Sequence, residues 1–353
     1  MGDYKVAIIP GDGIGPELTE ATLKVLDAVK EKFNLNFEYV FLEAGDTCLK
    51  KRGVALLDET VGAIKNVHVC LKGPTGETAA DVIVKLRIMF DLYANIRPVK
   101  SYAGVPCLRD DIDLVIVREN TEDVYKGLEF TLDDDTAVAL RVITRKGCER
   151  IARKAFAIAK LRNKKLAVTA VHKANVMRKT CGLFAEVCRK IAKEYPEISF
   201  NEQYVDAAAM RLIKEPQNYD VIVTTNMFGD ILSDEAAQLV GGLGMAPGGN
   251  IGDNFAIFEP IHGAAPTRVG KHNANPCSMI LASKMMLEWL GEKYGDKRCL
   301  EATNAVEIGV SEALREGLTV PDFGGSLTTI EMGEAVAKEI KKLGIRDDQS
   351  EVC

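Results

Sequence analysis

The stretch Asp220-Val221-Ile222-Val223-Thr224-Thr225-Asn226-Met227-Phe228-Gly229-Asp230-Ile231-Leu232-Ser233-Asp234-Glu235 passes from an apolar run into a helical segment that continues through Ala236-Ala237-Gln238-Leu239-Val240. A short apolar strand feeding a helix is the unit from which α/β proteins are built, so this stretch decides the fold class. Asp230 and Asp234 are four apart and stack on one face of that helix. Like charges at this spacing repel unless a cation lies between them. Oxygen ligands on a rigid helix end suit Mg²⁺ or Mn²⁺ better than Zn²⁺, which prefers His and Cys. Taken alone, the pair is more often a solvated helix face than a metal platform.

Outward from this stretch the same alternation recurs. Strand-like runs occupy Val6 to Pro10, Phe37 to Phe41, Val67 to Leu71, Leu114 to Val117 and Lys165 to Ala170, with helical periods such as Gly147 to Leu161 and Gly182 to Tyr195. The pattern predicts an α/β fold with a mixed, largely parallel sheet. Two glycine-rich stretches, Gly73 to Gly76 and Gly241 to Gly252, read as loops. The turn Gly11-Asp12-Gly13-Ile14-Gly15 between a strand and a helix invites a phosphate-binding reading. Its G-x-G-x-G spacing is not G-x-G-x-x-G, and no acid follows at the expected distance, so an ordinary Rossmann fold is not expected.

At 353 residues the chain fits two lobes, each large enough for its own core. Its apolar fraction of 47% and charged fraction of 27% are those of a globular protein, and a net charge of −6 offers no footprint for nucleic acid or an anionic membrane. Nine cysteines without a C-x-x-C pair argue against a zinc site or a disulfide scaffold, and no apolar run reaches membrane-spanning length. These features point to a cytoplasmic protein.

Polar residues cluster at element ends. Arg87, Arg97 and Arg118 each follow an apolar run, where an arginine is either a carboxylate clamp or half of a structural ion pair; three together suggest a substrate with more than one carboxylate. Lys173 follows the apolar run Leu166 to Val171, a place where a nearby cation can lower an amine enough to make it a base. Asp206 offers a third carboxylate for a site with Asp230 and Asp234. His262, in the loop Phe258-Glu259-Pro260-Ile261-His262-Gly263-Ala264-Ala265-Pro266, reads as a ligand contact or as a structural hydrogen-bonding group.

Seven blocks occur in order: G-D-G-I-G-P-E, L-Y-A-N-I-R-P, V-R-E-N-T-E-D-V-Y, H-K-A-N-V, N-M-F-G-D-I-L-S-D, G-G-L-G-M-A-P and F-E-P-I-H-G-A-A-P. Together they closely resemble the β-decarboxylating isocitrate and 3-isopropylmalate dehydrogenases, from Val6 to about Gly333. The resemblance implies the two-domain fold of that family, with residues 1–98 and 252–353 forming an outer, coenzyme-binding domain. Residues 99–251 would form an inner domain with the dimer interface and the metal aspartates. It implies a homodimer whose active site is shared: Arg87, Arg97 and Arg118 hold a 3-substituted malate, and Asp230 and Asp234, with Asp206 from the second subunit, bind Mg²⁺ or Mn²⁺. Lys173, also from the second subunit, resembles the base and Tyr125 the acid. Thr78, Asn175, His262, Gly263, Ala264, Ala265, Pro266, Thr267, Arg268 and Asn275 fall where the family holds its coenzyme.

Within that family the residues before Arg87 select the substrate. Isocitrate enzymes place Ser and Asn six and four positions ahead, where this chain has Asp81 and Ile83; homoisocitrate enzymes carry an arginine three ahead, where it has Val84. Asp81 would repel an added carboxylate, whereas Ile83 and Val84, extended by Val176, suit an isopropyl group. The expected reaction is oxidative decarboxylation of 3-isopropylmalate to 4-methyl-2-oxopentanoate, the leucine-pathway step, with homoisocitrate, isocitrate and D-malate as alternatives. A non-catalytic regulatory subunit is disfavoured, because Tyr125, Lys173 and the three aspartates are all present. Thr267 and Arg268 replace the Asp-Ile of NAD-using members and differ from the Lys-Tyr of NADP-using ones. The expectation leans to NAD and leaves NADP open.

Overall fold

The computed structural model describes residues 3–344, so Cys353 lies outside the described residues. The strands, in chain order, are β1 (Tyr4–Ile9), β2 (Phe37–Phe41), β3 (Val69–Lys72) and β4 (Ala94–Lys100). Next come β5 (Asp113–Glu119), β6 (Glu129–Asp133), β7 (Thr136–Ala139) and β8 (Ala167–His172). β9 (Ser199–Tyr204), β10 (Val221–Thr224), β11 (Pro247–Ile251) and β12 (Ala256–Pro260) follow. One sheet runs β2-β1-β3-β12-β11-β4-β5-β10-β8-β9, while β6 and β7 form a separate hairpin.

Two parallel blocks make up the large sheet. β2, β1, β3 and β12 run together, as do β5, β10, β8 and β9. Between them, β11 is antiparallel to β12 and to β4, and β4 is antiparallel to β5. An odd number of reversals makes the two blocks point in opposite directions. The sheet is thus mixed and largely parallel, as expected.

Alternation along each strand sends side chains to opposite faces, and the core follows it. Val6 and Ile8 join a cluster with Leu18, Leu26, Phe156 and Ile340, whereas Ala7 and Ile9 pack with Ile64, Cys70 and Leu86. In β5, Val115 and Val117 face the first of these clusters, and Leu114 and Ile116 face another with Ile222, Leu232 and Leu212. Both faces are covered by helices, so central strands such as Val221–Thr224 are buried throughout and read as unbroken apolar runs.

One loop expectation needs correcting. The stretch Gly241 to Gly252 contains β11, which is paired on both sides. Its glycines are a packing requirement: a Cβ on Gly249 would lie 2.9 Å from Phe258 Cε1 and 3.1 Å from Met285 Cε. Composition there mimics a loop because neighbouring side chains fill the space above the strand.

The Gly11 to Gly15 turn is a structural joint. Its Asp12 N–H donates to Pro74 O (2.8 Å) and its Ile14 N–H to Ala264 O (3.0 Å). Gly13 has φ +60°, and a Cβ there would meet Ala264 O at 1.9 Å. These N–H groups are spent on two other loops, in keeping with the non-Rossmann expectation.

At the exits of β3 and β12, Lys72 Nζ meets Glu259 at 2.9 Å, and Arg87 Nη2 reaches the same carboxylate at 3.3 Å. All three side chains are buried. Burial alone would raise the Glu259 carboxyl; Lys72 and then Arg87 outweigh it and hold it at about 2. A depressed carboxyl contributes stability that is present above its unfolded value of about 4.3 and drains as pH falls towards the folded value. Glu259→Gln, which strands two buried cations, is expected to lower the urea-unfolding free energy at pH 7 by roughly 3–5 kcal/mol. The gap from wild type should narrow on acidification, and a gap unchanged between pH 7 and pH 3 contradicts this account.

Candidate active site

The helix Asn226–Leu239 follows β10 directly and carries Asp230 and Asp234 on one face. Gly229 precedes Asp230 because the Arg118 side chain lies against it: a Cβ would fall 2.6 Å from Arg118 Cγ. Arg118, at the exit of β5, donates from Nε (2.9 Å) and Nη2 (2.7 Å) to Asn226 Oδ1 and pairs through Nη1 with Asp230. Arg97, on β4, pairs with Asp230 and Asp234 at 3.2 Å each and donates to Ser233 Oγ at 2.5 Å. Tyr125 donates its hydroxyl to Asp230 Oδ2 at 2.5 Å, and the Arg118 guanidinium sits 5.0 Å from its ring. Asp230, Asp234, Arg97, Arg118 and Tyr125, all flagged by the sequence, thus meet.

A buried amide relay joins Arg87 to this group. Asn250 Oδ1, on β11, accepts from Arg87 Nε (2.8 Å), Asn95 Nδ2 (2.8 Å) and Asn120 Nδ2 (3.0 Å). Asn95 Oδ1 in turn accepts from Arg97 Nε at 2.6 Å, and Asn250 Nδ2 donates to Glu259 at 2.8 Å. Neutral amides therefore fix two guanidinium groups without cancelling their charge.

The electrostatics record the strain of this arrangement. Burial, then the neighbouring Arg97 and Arg87, pull Arg118 below its ordinary value, and burial does the same to Arg97. Against the cost of burial, Arg118 and Arg97 hold the Asp230 carboxyl low, whereas burial wins at Asp234 and raises it. Burial and the Asp230 bond push the Tyr125 hydroxyl up, with Arg118 pulling the other way, so it is a protonated donor at neutral pH. Lys72, Arg87, Arg97 and Arg118 face Asp230, Asp234 and Glu259, which leaves one cation in excess. An anionic ligand relieves that excess.

Lys173 and Asp206 form a pair of their own. Lys173 Nζ, past the exit of β8, lies 2.6 Å from Asp206 Oδ1. Among the described residues no three His, Cys, Asp or Glu side chains come together as a metal cluster. One chain therefore presents two hard carboxylates on a helix face, a donor set that suits Mg²⁺, which keeps several waters, but it does not bring Asp206 to them. Asn175 and Val176 are exposed beside Lys173, and Ile83 and Val84 lie on a π-helical turn, Ala80–Val84, just ahead of Arg87. Ile83 is buried, Val84 half-buried, and Asp81 is turned away to Lys85 at 2.8 Å.

The loop after β12 is held by contacts of His262. His262 Nε2 lies 2.9 Å from Ser278 Oγ and its Nδ1 2.9 Å from Gly263 O; burial lowers its pKa, so the ring is neutral. Ala264 is buried against the glycine turn, Ala265 takes φ +45°, and a Cβ on Gly263 would meet Thr75 O at 4.0 Å. Pro266, Thr267 and Arg268 form a short 3₁₀ turn, and Arg268 Nη1 pairs with Asp322 at 2.6 Å. Asn275 Oδ1 accepts from Cys277 N at 3.0 Å at the start of the helix Cys277–Tyr294, and Thr78 donates to Asp46 at 2.7 Å.

Residues that sequence reasoning passed over include Lys72, Glu259, Asn250, Asn95 and Asn226. Lys72 and Glu259 each end an apolar strand, the same signal that singled out the arginines. Asn250 sits in a glycine-rich stretch and carried no such signal.

A family-wide sequence model described as isocitrate/isopropylmalate dehydrogenase matches residues 5–336. A 3-isopropylmalate dehydrogenase of Archaeoglobus fulgidus is 53% identical over 333 residues, covering 94% of this chain and 98% of that protein. A 3-isopropylmalate/3-methylmalate dehydrogenase of Methanocaldococcus jannaschii is 52% identical over 342 residues, with 96% and 99% covered. The crystal structure of an isocitrate dehydrogenase from Methylococcus capsulatus superposes with a TM-score of 0.89 at 42% identity, covering 96% of this chain and all of that one. On the match over most of its length and on the shared fold, the chain belongs to the isocitrate/isopropylmalate dehydrogenase family.

Proposed function

We propose that the protein catalyses metal-dependent oxidative decarboxylation of 3-isopropylmalate to 4-methyl-2-oxopentanoate with reduction of a nicotinamide coenzyme. The observation that carries this reading is the convergence of Arg97, Arg118 and Tyr125 on Asp230. In this scheme Arg97 and Arg118 turn from the aspartates to the malate carboxylates, and Arg87 completes the clamp. Asp230 and Asp234, with Asp206 of a second copy, would hold Mg²⁺ or Mn²⁺. When bound, the cation polarises the C2 oxygen and the coenzyme accepts the hydride. Lys173 of a second copy takes the hydroxyl proton, and Tyr125 returns a proton to the carbon that has lost CO₂.

Ile83 and Val84 offer no donor to a further carboxylate, which favours the isopropyl substituent over that of isocitrate. The coenzyme loop from His262 to Arg268, with Thr78, Asn175 and Asn275, would bind the coenzyme; we infer that residues 1–98 and 252–353 form its lobe and residues 99–251 the metal-bearing one. Arg268 Nη1 pairs with Asp322, and that carboxylate would oppose a 2′-phosphate at the same guanidinium, which favours NAD. Self-association has its own support: the β6–β7 hairpin exposes Leu128, Phe130, Leu132 and Leu140, and Tyr204, Met210 and Ile213 lie exposed near Asp206. An isolated two-stranded hairpin is marginal without a surface to rest on.

Three measurements test these points. Across 3-isopropylmalate, isocitrate, homoisocitrate and D-malate, kcat/KM should be highest for 3-isopropylmalate, and isocitrate ranking first would remove the pocket argument. Lys173→Met and Asp230→Asn should each be inactive alone, yet mixed and reassembled they should regain activity, because each hybrid holds one intact shared site; no recovery would place the site within one chain. The ratio of kcat/KM for NAD over NADP should exceed one and fall in Asp322→Asn, where Arg268 is released; an NADP preference in the unaltered protein would refute the lean to NAD.

A further inference from the structure

Asp123, two residues before Tyr125, has φ +69° and ψ −150°, a region that glycine alone occupies readily. Its backbone N–H donates to Val142 O at 2.8 Å, so it is stapled to the chain returning from the β6–β7 hairpin. Its side chain is buried and meets Arg141 twice, Nε to Oδ1 at 2.7 Å and Nη2 to Oδ2 at 2.9 Å. Oδ1 also accepts from Val124 N at 2.9 Å, the first residue of the turn Val124–Lys126 that carries Tyr125. Oδ2 accepts from Met227 N at 3.3 Å, in the first turn of the helix that carries Asp230.

That helix has no side-chain cap from Thr225, its own N-cap residue. Asp123 supplies a carboxylate there, where the helix dipole favours one. Arg141 is over-determined in turn: it donates to Thr225 Oγ1 at 2.5 Å, and its guanidinium lies 4.6 Å from the Phe228 ring. A strained backbone persists only where its surroundings hold it, and here the holding groups tie together the two elements whose side chains meet in the Tyr125–Asp230 bond.

We propose that Asp123, through its ion pair with Arg141, is the positioning residue for Tyr125: it locks the Val124–Lys126 turn onto the start of the Asp230 helix and so fixes where the tyrosine hydroxyl points. The proposal rests on Tyr125 being the proton donor of the reaction above. A displaced donor lowers turnover while leaving the carboxylate clamp, and hence substrate affinity, in place.

The test compares Tyr125→Phe, Asp123→Gly, Asp123→Asn, Arg141→Lys and Arg141→Met in the full chain, with NAD, Mn²⁺ and 3-isopropylmalate, alongside thermal unfolding and oligomeric mass. Tyr125→Phe should lose about 10²–10⁴-fold in kcat, and full activity there would overturn the tyrosine's role itself. Asp123→Gly relieves the backbone strain but removes the carboxylate; it and Asp123→Asn should lose about 10–10²-fold in kcat with KM little changed. Arg141→Lys should recover most of the turnover that Arg141→Met loses. This pair keeps the buried carboxylate and decides the matter if the Asp123 variants do not fold. If Tyr125→Phe is impaired while Asp123→Gly keeps its turnover, or if both Arg141 variants behave alike, the tyrosine's role stands and the positioning role of Asp123 is refuted.

Discussion

Arg97 and Arg118 both close on the carboxylate of Asp230, and most of the surrounding architecture serves to hold those charges out of water without extinguishing them. Buried guanidinium groups are costly unless every donor finds a partner. Asn226, Asn95 and Ser233 accept from them as neutral groups, so hydrogen bonding is satisfied while positive charge is retained. A carboxylate in place of Asn95 or Asn226 could still accept from the guanidinium, but it would lose the amide donation to Asn250 Oδ1 or to Glu122 O and would consume the charge that an anionic ligand needs. Burial lowers both Arg97 and Arg118, and for Arg118 the neighbouring guanidinium groups add to it, which marks the cost of holding these charges out of water.

The sheet supplies the frame for this balance. Antiparallel β4 and β11 lie between two parallel blocks, and it is these two strands that carry Arg97 with Asn95 and Asn250. In β4 and β11, Asn95 and Asn250 are register partners, so the amide relay follows from strand pairing itself. A one-residue slip would turn one of them to the opposite face and uncouple Arg87 from Arg97. The glycines of β11 thus matter twice, by admitting Phe258 and Met285 above the strand and by letting it sit at the centre where Asn250 is needed.

How much of this was readable from the sequence depended on whether a residue's role was local. Asp230, Asp234, Arg118 and Lys173 stand at exits of apolar strands or at helical spacing, where period alone gives their placement. Ile222 and Val223 announced a buried strand because both of its faces are covered. Asn250 gave no such sign, since glycine-rich composition reads as a loop until Phe258 and Met285 are known to lie over it. Asp123 was still less legible: aspartate does not choose φ +69°, and the groups that hold it there, Arg141 and Val142 on the far side of a hairpin and Met227 on the helix, are all distant in sequence. Resemblance to a family carried roles onto residues such as Tyr125, but the network that aims Tyr125 lies in contacts that no spacing encodes.

The pairing of Lys173 with Asp206 stands apart from the group around Asp230. Each is a charged group with one main partner, the other, and both stand beside exposed apolar side chains, Tyr204, Met210 and Val176. An ion pair this exposed adds little to the stability of the chain, so its arrangement is poorly explained as structural. If the site is shared as proposed, the pair would meet a neighbouring surface as a lysine and a carboxylate arriving together and without net charge. The aspartates on the Asn226–Leu239 helix are complementary: two carboxylates on one face, Asp234 half-exposed. On the shared-site reading proposed above, joining the two halves at an interface would expose neither to water as an unpaired charge before substrate and cation are present, the physical advantage such a division would give.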